Sequence, residues 1–110
     1  MAHGYKVLGQ AQAVLADTDY VLYTVPAGKQ VIISVCTITA KNSNSKFRLS
    51  IVPSGDTLAD KNAISYDDLI EPGRGRNKLQ SITLQPGDKV YMRANTADNL
   101  SFSLFGDEIS

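Results

Sequence analysis

The stretch of residues 20–40 constrains the fold more than any other part of the chain. It reads YVLYTVPAGKQVIISVCTITA and holds two runs rich in β-branched residues, 20–25 and 30–40, on either side of a Pro-Ala-Gly turn. Proline presets φ at the first position of such a turn, and glycine accepts the conformation that closes it. The pattern predicts two strands joined as a hairpin.

The longer run, 30–40, is apolar on both faces. Successive side chains of a strand alternate between its faces. One face then carries Val31, Ile33 and Val35, and the other carries Ile32, Cys36 and Ile38. A strand that is apolar on both faces is typical of a strand covered on both sides. In a chain of 110 residues, the hypothesis is that a second subunit supplies one of the two covers.

Shorter runs with strand character fill the rest of the chain. They are 5–8, 46–52, 63–66, a weaker run at 67–70, 78–84, 89–95 and 100–104. Three of them place alternate residues inward: Phe47, Leu49 and Ile51; Val90, Met92 and Ala94; and Leu100, Phe102 and Leu104. Residues 57–61 favour one helical turn, and 11–19 fit a helix and a strand equally well.

Even spacing of short strands, with turn chemistry between them, favours an antiparallel arrangement. We therefore predict a single all-β domain over residues 1–110: an antiparallel β-sandwich, jelly-roll-like, of about seven to nine strands. Within it, about the first ten residues, 1–10, are predicted to form a short N-terminal arm. Turns of the Pro-Gly-Asp kind before a β-branched strand, as at 86–90, are typical of jelly rolls.

Composition excludes several classes of function. Eleven basic and eleven acidic residues balance, so the chain has no basic field for nucleic acid. One cysteine permits neither an intrachain disulfide nor a cysteine-based zinc cluster. No apolar run approaches the roughly 20 residues that span a bilayer. The first residues lack a secretory pattern, so we expect synthesis in a cytoplasm and no membrane partner.

Candidate catalytic residues are few. His3 is the single histidine, beside a terminus and without a second ligand nearby, so catalysis or metal binding there is disfavoured. Cys36 lies in the middle of a strand and is best interpreted as a small buried hydrophobe. We expect no enzyme activity, no metal and no cofactor.

Two groups of acidic residues are candidates for calcium or catalytic sites: Asp67, Asp68 and Glu71, and Asp17 with Asp19. Neither has the spacing of an EF-hand loop. A solvated acidic edge is the better interpretation, although paired glycosidase carboxylates can lie anywhere in a sequence.

The segment Gly73-Arg74-Gly75-Arg76 is the sharpest local motif. Arginines on a glycine-rich loop bind carboxylates, phosphates or a neighbouring chain. The segment lacks the lysine and hydroxyl residue of a P-loop and has no interleaved aromatic residues. Arg74 and Arg76 are therefore predicted to form salt bridges between subunits or to face solvent.

Aromatic residues offer a second kind of surface. Five tyrosines are present, and tyrosine is common in strands as well as in sugar-binding faces. Tyr91 and Phe105 point away from the predicted core. Together with Ile32, Ile38, Arg74 and Arg76, they make up the predicted set of intersubunit contacts.

Six segments resemble small virion structural proteins of tailed bacteriophages, a type abundant in phages of cyanobacteria and other aquatic bacteria. They are YKVLGQ at 5–10, LYTVPAG at 22–28, VC at 35–36, FR at 47–48, ANTA at 94–97 and LSFSLFGDEIS at 100–110. The two ends are the most specific. The loop with Arg74 and Arg76 does not belong to the resembling pattern.

The resemblance implies a non-catalytic protein of the phage particle, made and assembled in the host cytoplasm. Its expected partners are other virion proteins of the capsid or tail and further copies of itself, with a trimer favoured. The role is capsid decoration or cement, or a part of the tail, neck or fibre. The alternative is a carbohydrate-binding adhesin that recognises the host surface.

Overall fold

A computed structural model describes residues 5–78 and 81–109, without the side chain of Tyr5. The described residues form nine strands. These are β1 (Tyr5–Gln12), β2 (Tyr20–Thr24), β3 (Gln30–Ala40), β4 (Ser45–Val52), β5 (Ala63–Ile70), β6 (Arg76–Lys78), β7 (Ile82–Leu84), β8 (Lys89–Ala94) and β9 (Leu100–Ile109). A 3₁₀ turn, Asp60–Asn62, lies between β4 and β5. No helix within these ranges is long and apolar enough to cross a bilayer.

Two antiparallel sheets pack face to face. Sheet I has the order β1-β9-β3, and β6 and β7 both pair with β3 on its far side. Sheet II has the order β2-β8-β4-β5. If β6 and β7 are counted as one position, each sheet has four positions and their order is that of a jelly roll. The prediction of an all-β, jelly-roll-like sandwich is confirmed, and nine strands fall within the predicted range.

The turn between β2 and β3 does not form a hairpin, so that prediction was wrong. β2 lies in sheet II and pairs with β8, whereas β3 lies in sheet I and pairs with β9. Gly28 closes the turn with φ of 78°, as its sequence predicts. Turn chemistry identifies a reversal of the chain, but it does not say which strand each arm pairs with. Here the turn carries the chain from one sheet to the other.

A β-bulge explains why β3 is apolar on both faces. The register between β3 and β9 shifts between Ile33 and Val35. Because one extra residue exchanges the faces of every residue after it, Ile33 before the bulge and Cys36 after it both face the core. Both are 0% exposed, and Ile32 is 37% exposed. Four of the six apolar residues, Val31, Ile33, Cys36 and Ile38, therefore lie in one core, so the doubly apolar pattern does not by itself require a cover from another subunit.

The core lies between the sheets, and the predicted inward residues of β4, β8 and β9 line it. Phe47 and Leu49 of β4 and all three predicted residues of β9 are completely buried, and Ile51 packs against them partly buried. The rings of Phe47 and Phe102 meet edge to face, with centroids 6.3 Å apart. Alternation alone predicted these faces correctly, because each of the three inward triplets lies in a regular part of its strand.

The strand predicted at 5–8 is confirmed and extends to Gln12. From Tyr5 onward the expected arm is strand β1, which pairs with β9 along its length. The ambiguous segment 11–19 is neither one helix nor one strand. Its first two residues end β1, and a turn follows in which Asp17 has φ of 52°. The backbone amide of Asp17 donates a hydrogen bond to the carbonyl of Ala94 at 2.7 Å.

Three further predictions differ in detail. The runs at 63–66 and 67–70 form one strand, β5, with a bulge where Asp67 has φ of 54°. The run at 78–84 is divided between β6 and β7, with residues 79 and 80 outside the described residues. The helical turn expected at 57–61 is the shorter 3₁₀ turn at Asp60–Asn62.

One open side of the sandwich is closed where β1 of sheet I meets β2 of sheet II. Glu108 accepts a hydrogen bond from the hydroxyl of Tyr23 at 2.6 Å and forms an ion pair with Lys6. Lys6 and Tyr23 hold the pKa of Glu108 below its usual range. A methyl group on Gly9 would lie 2.5 Å from the carbonyl oxygen of Leu22, so the two sheets approach too closely there for any side chain.

Candidate functional site

The outer face of sheet I carries an apolar row. Val7 of β1, Phe105 of β9 and Val35 of β3 lie side by side in the register of three neighbouring strands. Val7 is 49% exposed, and the other two are partly buried. Ile32 lies in the next row of the same face, beside Asp107. We use the name apolar row for these four residues together: the three that share one row and Ile32 of the row beside it.

The rest of this outer face is polar but almost without charge. Next to the apolar row, Gln10 donates to Ser103 at 3.1 Å and Thr37 donates to Asn77 at 3.0 Å, both across neighbouring strands. Among the described side chains of the face, Asp107 is the one charged residue, and it is 8% exposed. Because Asp107 is nearly buried, sheet I presents an almost uncharged outer surface, which we call the uncharged face.

The predicted contact residues are divided among several places. Ile32 and Phe105 come together on the uncharged face, although they lie far apart in the sequence. Ile38 is 0% exposed and packs in the core of its own chain, so its place among the contacts is corrected. The bulge in β3 is the reason, since it turns Ile38 inward. Tyr91 lies on the outer face of sheet II, on the opposite side of the sandwich.

The two arginines of the glycine-rich loop differ from each other. Arg76 begins β6, and its Nη2 donates a hydrogen bond to the carbonyl oxygen of Leu69 in β5 at 2.8 Å. Two residues on, Lys78 forms an ion pair of 3.3 Å with Asp68 of β5. These two contacts close the other open side of the sandwich. Arg74 lies in an exposed turn, where its backbone amide donates a hydrogen bond to the backbone carbonyl oxygen of Glu71.

The outer face of sheet II holds a depression with a volume of about 170 Å³. Its floor is one row of paired residues across β8, β4 and β5, which are Tyr91, Ser50 and Ala63. Ser50 and Ala63 have small side chains, so the row is low in the middle and at its β5 end. The next row holds two large side chains, Arg93 and Arg48, which lie opposite each other. The contrast between the two rows produces the hollow.

A self-bonded loop forms the far wall of the depression. Asn62 accepts a hydrogen bond from the backbone amide of Ala59 at 2.8 Å and donates one to Asp56 at 3.4 Å. Asp56 also accepts from the amide of Thr57 and pairs with Lys61 at 3.3 Å. The amide of Thr57 is the main reason that the pKa of Asp56 lies below its usual range. These bonds hold the wall in place.

Like charges opposite each other on a sheet are unfavourable, and each arginine here has a carboxylate beside it. Arg48 binds Asp67 with two bonds, of 2.8 and 3.2 Å, which lower the pKa of that carboxyl. The guanidinium of Arg48 also lies 4.0 Å from the centre of the Tyr66 ring. Arg93 makes a longer contact, 3.4 Å, with Asp19. Arg48 is therefore held more firmly than Arg93.

The acidic residues considered in the sequence are separated by these pairings. Asp67 and Asp68 bind different cations on different sides of β5, and Glu71 lies in an exposed loop. Over residues 5–78 and 81–109, no three histidine, cysteine or acidic side chains form a group that fits a metal ion. His3 lies outside the described residues.

Cys36 is buried, as the sequence predicts, and its burial raises the pKa of the thiol to about 12. A thiol with so high a pKa is not a ready nucleophile.

Sequence reasoning missed the depression. The inward positions predicted for β4 and β8 leave Arg48 and Arg93 between them on the outer face, so this much of the signal is present in the sequence. Their position opposite each other depends on the pairing of β4 with β8, which joins strands about 40 residues apart. The approach of Asp19 and Asp60 depends on how two separate loops fold back over the sheet.

Comparison of the chain with models of protein families, with curated proteins and with solved structures finds no match in any of the three.

Proposed function

We propose that this chain is a non-catalytic structural protein of a tailed-phage virion, where it assembles as a homo-oligomer through the uncharged face of sheet I. The role is capsid decoration or cement, or a component of the tail, neck or fibre. Its partners are further copies of itself and other virion proteins, and its location is the virion, after synthesis in the host cytoplasm.

The observation that carries the proposal is the near absence of charge around the apolar row. The buried centres of protein interfaces are depleted of charged residues, since a charge there must be stripped of water. An exposed sheet face more often carries charged side chains, as the outer face of sheet II does with Arg48 and Arg93. The uncharged face has the composition of a surface that is covered in the assembled protein.

The resembling segments add a second line of support. Val7, Val35 and Phe105, three of the four residues in the apolar row, come from three different segments that resemble phage virion proteins. Strand pairing brings these segments together, since β9 lies between β1 and β3. A contact surface common to such proteins accounts for the meeting of these three segments on one face.

A second copy of the chain is the occupant that suits this face. The net charge of the chain is zero, so copies do not repel one another over long distances. Uncharged faces meet without burying an unpaired ion, and three of them can converge on a threefold axis to give the favoured trimer. Ile32 and Phe105 are the contact residues on this face.

Mass spectrometry of purified phage particles whose genome encodes the chain tests the proposal. We expect peptides of the chain in amounts comparable to those of other structural proteins, retained after the particles are banded in a density gradient. Gold-labelled antibodies against the chain then distinguish heads from tails. Absence of the chain from purified particles, with the chain present in infected cells, would overturn the proposal.

A further inference from the structure

We propose that the depression on the outer face of sheet II binds a neutral saccharide, and that it takes one pyranose ring. This site is on the opposite side of the sandwich from the uncharged face. It is independent of the assembly proposed above, and the protein can bind a glycan and assemble at the same time.

The size of the depression sets the size of the ligand. Pockets for drug-sized molecules measure about 300–1,000 Å³. The depression measures about 170 Å³ and opens on the surface of the sheet, where Tyr66 is 48% exposed. It therefore suits a compact ring, with the rest of a glycan chain extending into solvent.

The balance of charge selects a neutral ligand that is rich in hydroxyl groups. The charged side chains lining the depression are two carboxylates, Asp19 and Asp60, and two guanidinium groups, Arg48 and Arg93. An anionic ligand would meet the carboxylates and a cationic ligand the guanidinium groups. A sugar hydroxyl donates one hydrogen bond and accepts others, so it satisfies both kinds of side chain at once.

Tyr91 supplies the apolar part of the site. It lies at one end of the row that forms the floor, beside the small side chain of Ser50. An aromatic ring of this kind offers a flat apolar surface with a polar hydroxyl at its tip, which suits the apolar face and hydroxyl edge of a pyranose. One face of Tyr66 is taken by Arg48. Tyr91 is therefore the stacking residue of the proposed site.

The walls of the site are fixed before any ligand arrives. Arg48 is held by Asp67 and Tyr66, and the loop that carries Asp60 is held by the bonds of Asn62. Side chains that are already ordered lose little conformational entropy on binding, so a small site gains affinity in this way. This preorganisation distinguishes the depression from a chance gap between surface side chains.

A glycan array of neutral and acidic glycans, followed by titration calorimetry with the best neutral ligand, tests the proposal. We expect binding to neutral glycans, and we expect Tyr91→Ala and Asp60→Ala each to weaken it by about tenfold or more. Asp60 is exposed on a loop, so its replacement leaves the core intact. Thr39→Ala, on the uncharged face, is the matched control and should bind as the wild type does.

Silence on the array would overturn the proposal, as would binding to acidic glycans alone or an affinity equal to that of the wild type in both pocket variants. The test is separate from that of assembly, since Ile32→Asp alters the uncharged face and leaves the depression unchanged. Glycan binding by a monomeric Ile32→Asp protein would support the saccharide site, whatever the outcome of the assembly test.

Discussion

At the scale of single residues, two neighbours in β3 carry opposite roles. Ile33 is completely buried between the sheets, and Ile32 is 37% exposed on the uncharged face. Alternation along the sequence correctly separated the two. It did not show which of them faces the core, because the bulge after Ile33 makes both the odd-numbered and the even-numbered positions of the strand apolar.

Replacing Ile33 with aspartate should abolish folding. An unpaired carboxylate in a core costs several kcal/mol, which is comparable to the whole stability of about 5–15 kcal/mol of a small domain. Circular dichroism during thermal melting should show no cooperative transition for Ile33→Asp. Ile32→Asp, the matched control, should melt cooperatively. A cooperative melt of both variants would mean that the core is misplaced.

Glu108 should make stability depend on pH on the acid side. Its pKa is held below the usual value of 4.5 by Lys6 and Tyr23, so its contribution is complete above that value. The contribution is lost as the pH falls through the lowered pKa of the folded state. The difference in unfolding free energy between wild type and Glu108→Gln should therefore shrink below about pH 4.5.

Urea denaturation of both proteins at several pH values measures this difference. Glu71→Gln, in an exposed loop, is the control, and its stability near neutral pH should be close to that of the wild type. A difference for Glu108→Gln that stays constant down to pH 2 would show that the ion pair does not stabilise the folded state.

At the scale of strands, close backbone contacts hold the sandwich in its register. A methyl group on Gly106 would lie 2.5 Å from the carbonyl oxygen of Ile32 and 2.9 Å from the side chain of Leu8. One of these contacts is to backbone, which cannot rotate away. Gly106 therefore fixes the approach of β9 to β3 at the bulge.

Gly106→Ala should destabilise the protein by about 1–3 kcal/mol through this overlap. Gly75→Ala is the matched control, since its methyl group would lie 3.6 Å from the nearest atom, the carbonyl oxygen of Ile38. That variant should be neutral or gain up to about 1 kcal/mol from a less flexible unfolded chain. Urea denaturation compares them, and equal stabilities would contradict the close approach.

The loop before β6 gives a second test at this scale. Arg76→Ala removes a hydrogen bond to the carbonyl of Leu69 and should cost about 0.5–1.5 kcal/mol. Arg74→Ala should change stability by less than about 0.5 kcal/mol, since Arg74 is exposed in its turn.

If Arg74 binds a neighbouring subunit, its replacement weakens assembly. Sedimentation of Arg74→Ala at several concentrations checks this, and unchanged assembly would remove Arg74 from the proposed contacts.

At the scale of the whole molecule, the sequence was sufficient for the class of fold and for most of the core. Regular alternation in β4, β8 and β9 identified the inward residues, and evenly spaced turns identified the sandwich. The bulges in β3 and β5 were not predictable, since a single extra residue leaves no local signature in an apolar run. The depression depends on pairings between strands that are distant in the sequence. The sequence therefore predicts that its strand residues point outward, but it does not predict that they lie next to one another.

The same distinction applies to the uncharged face. Ile32 and Phe105 were identified individually, one from an apolar strand and the other as an outward aromatic residue. Ile38 was included with them because, like Ile32, it belongs to the second apolar set of β3. The bulge places Ile38 on the core face and Ile32 on the outer face. That Val7, Val35 and Phe105 form one row follows from the position of β9 between β1 and β3, which only the fold reveals.

Sedimentation equilibrium of the purified wild type and of Ile32→Asp tests the central claim most directly. We expect the wild type to form a homo-oligomer, with the mass of a trimer favoured, and Ile32→Asp to be a folded monomer, because a charge placed on the uncharged face must be desolvated on assembly. A wild type that stays monomeric, or an Ile32→Asp variant that assembles equally well, would contradict assembly through the outer face of sheet I.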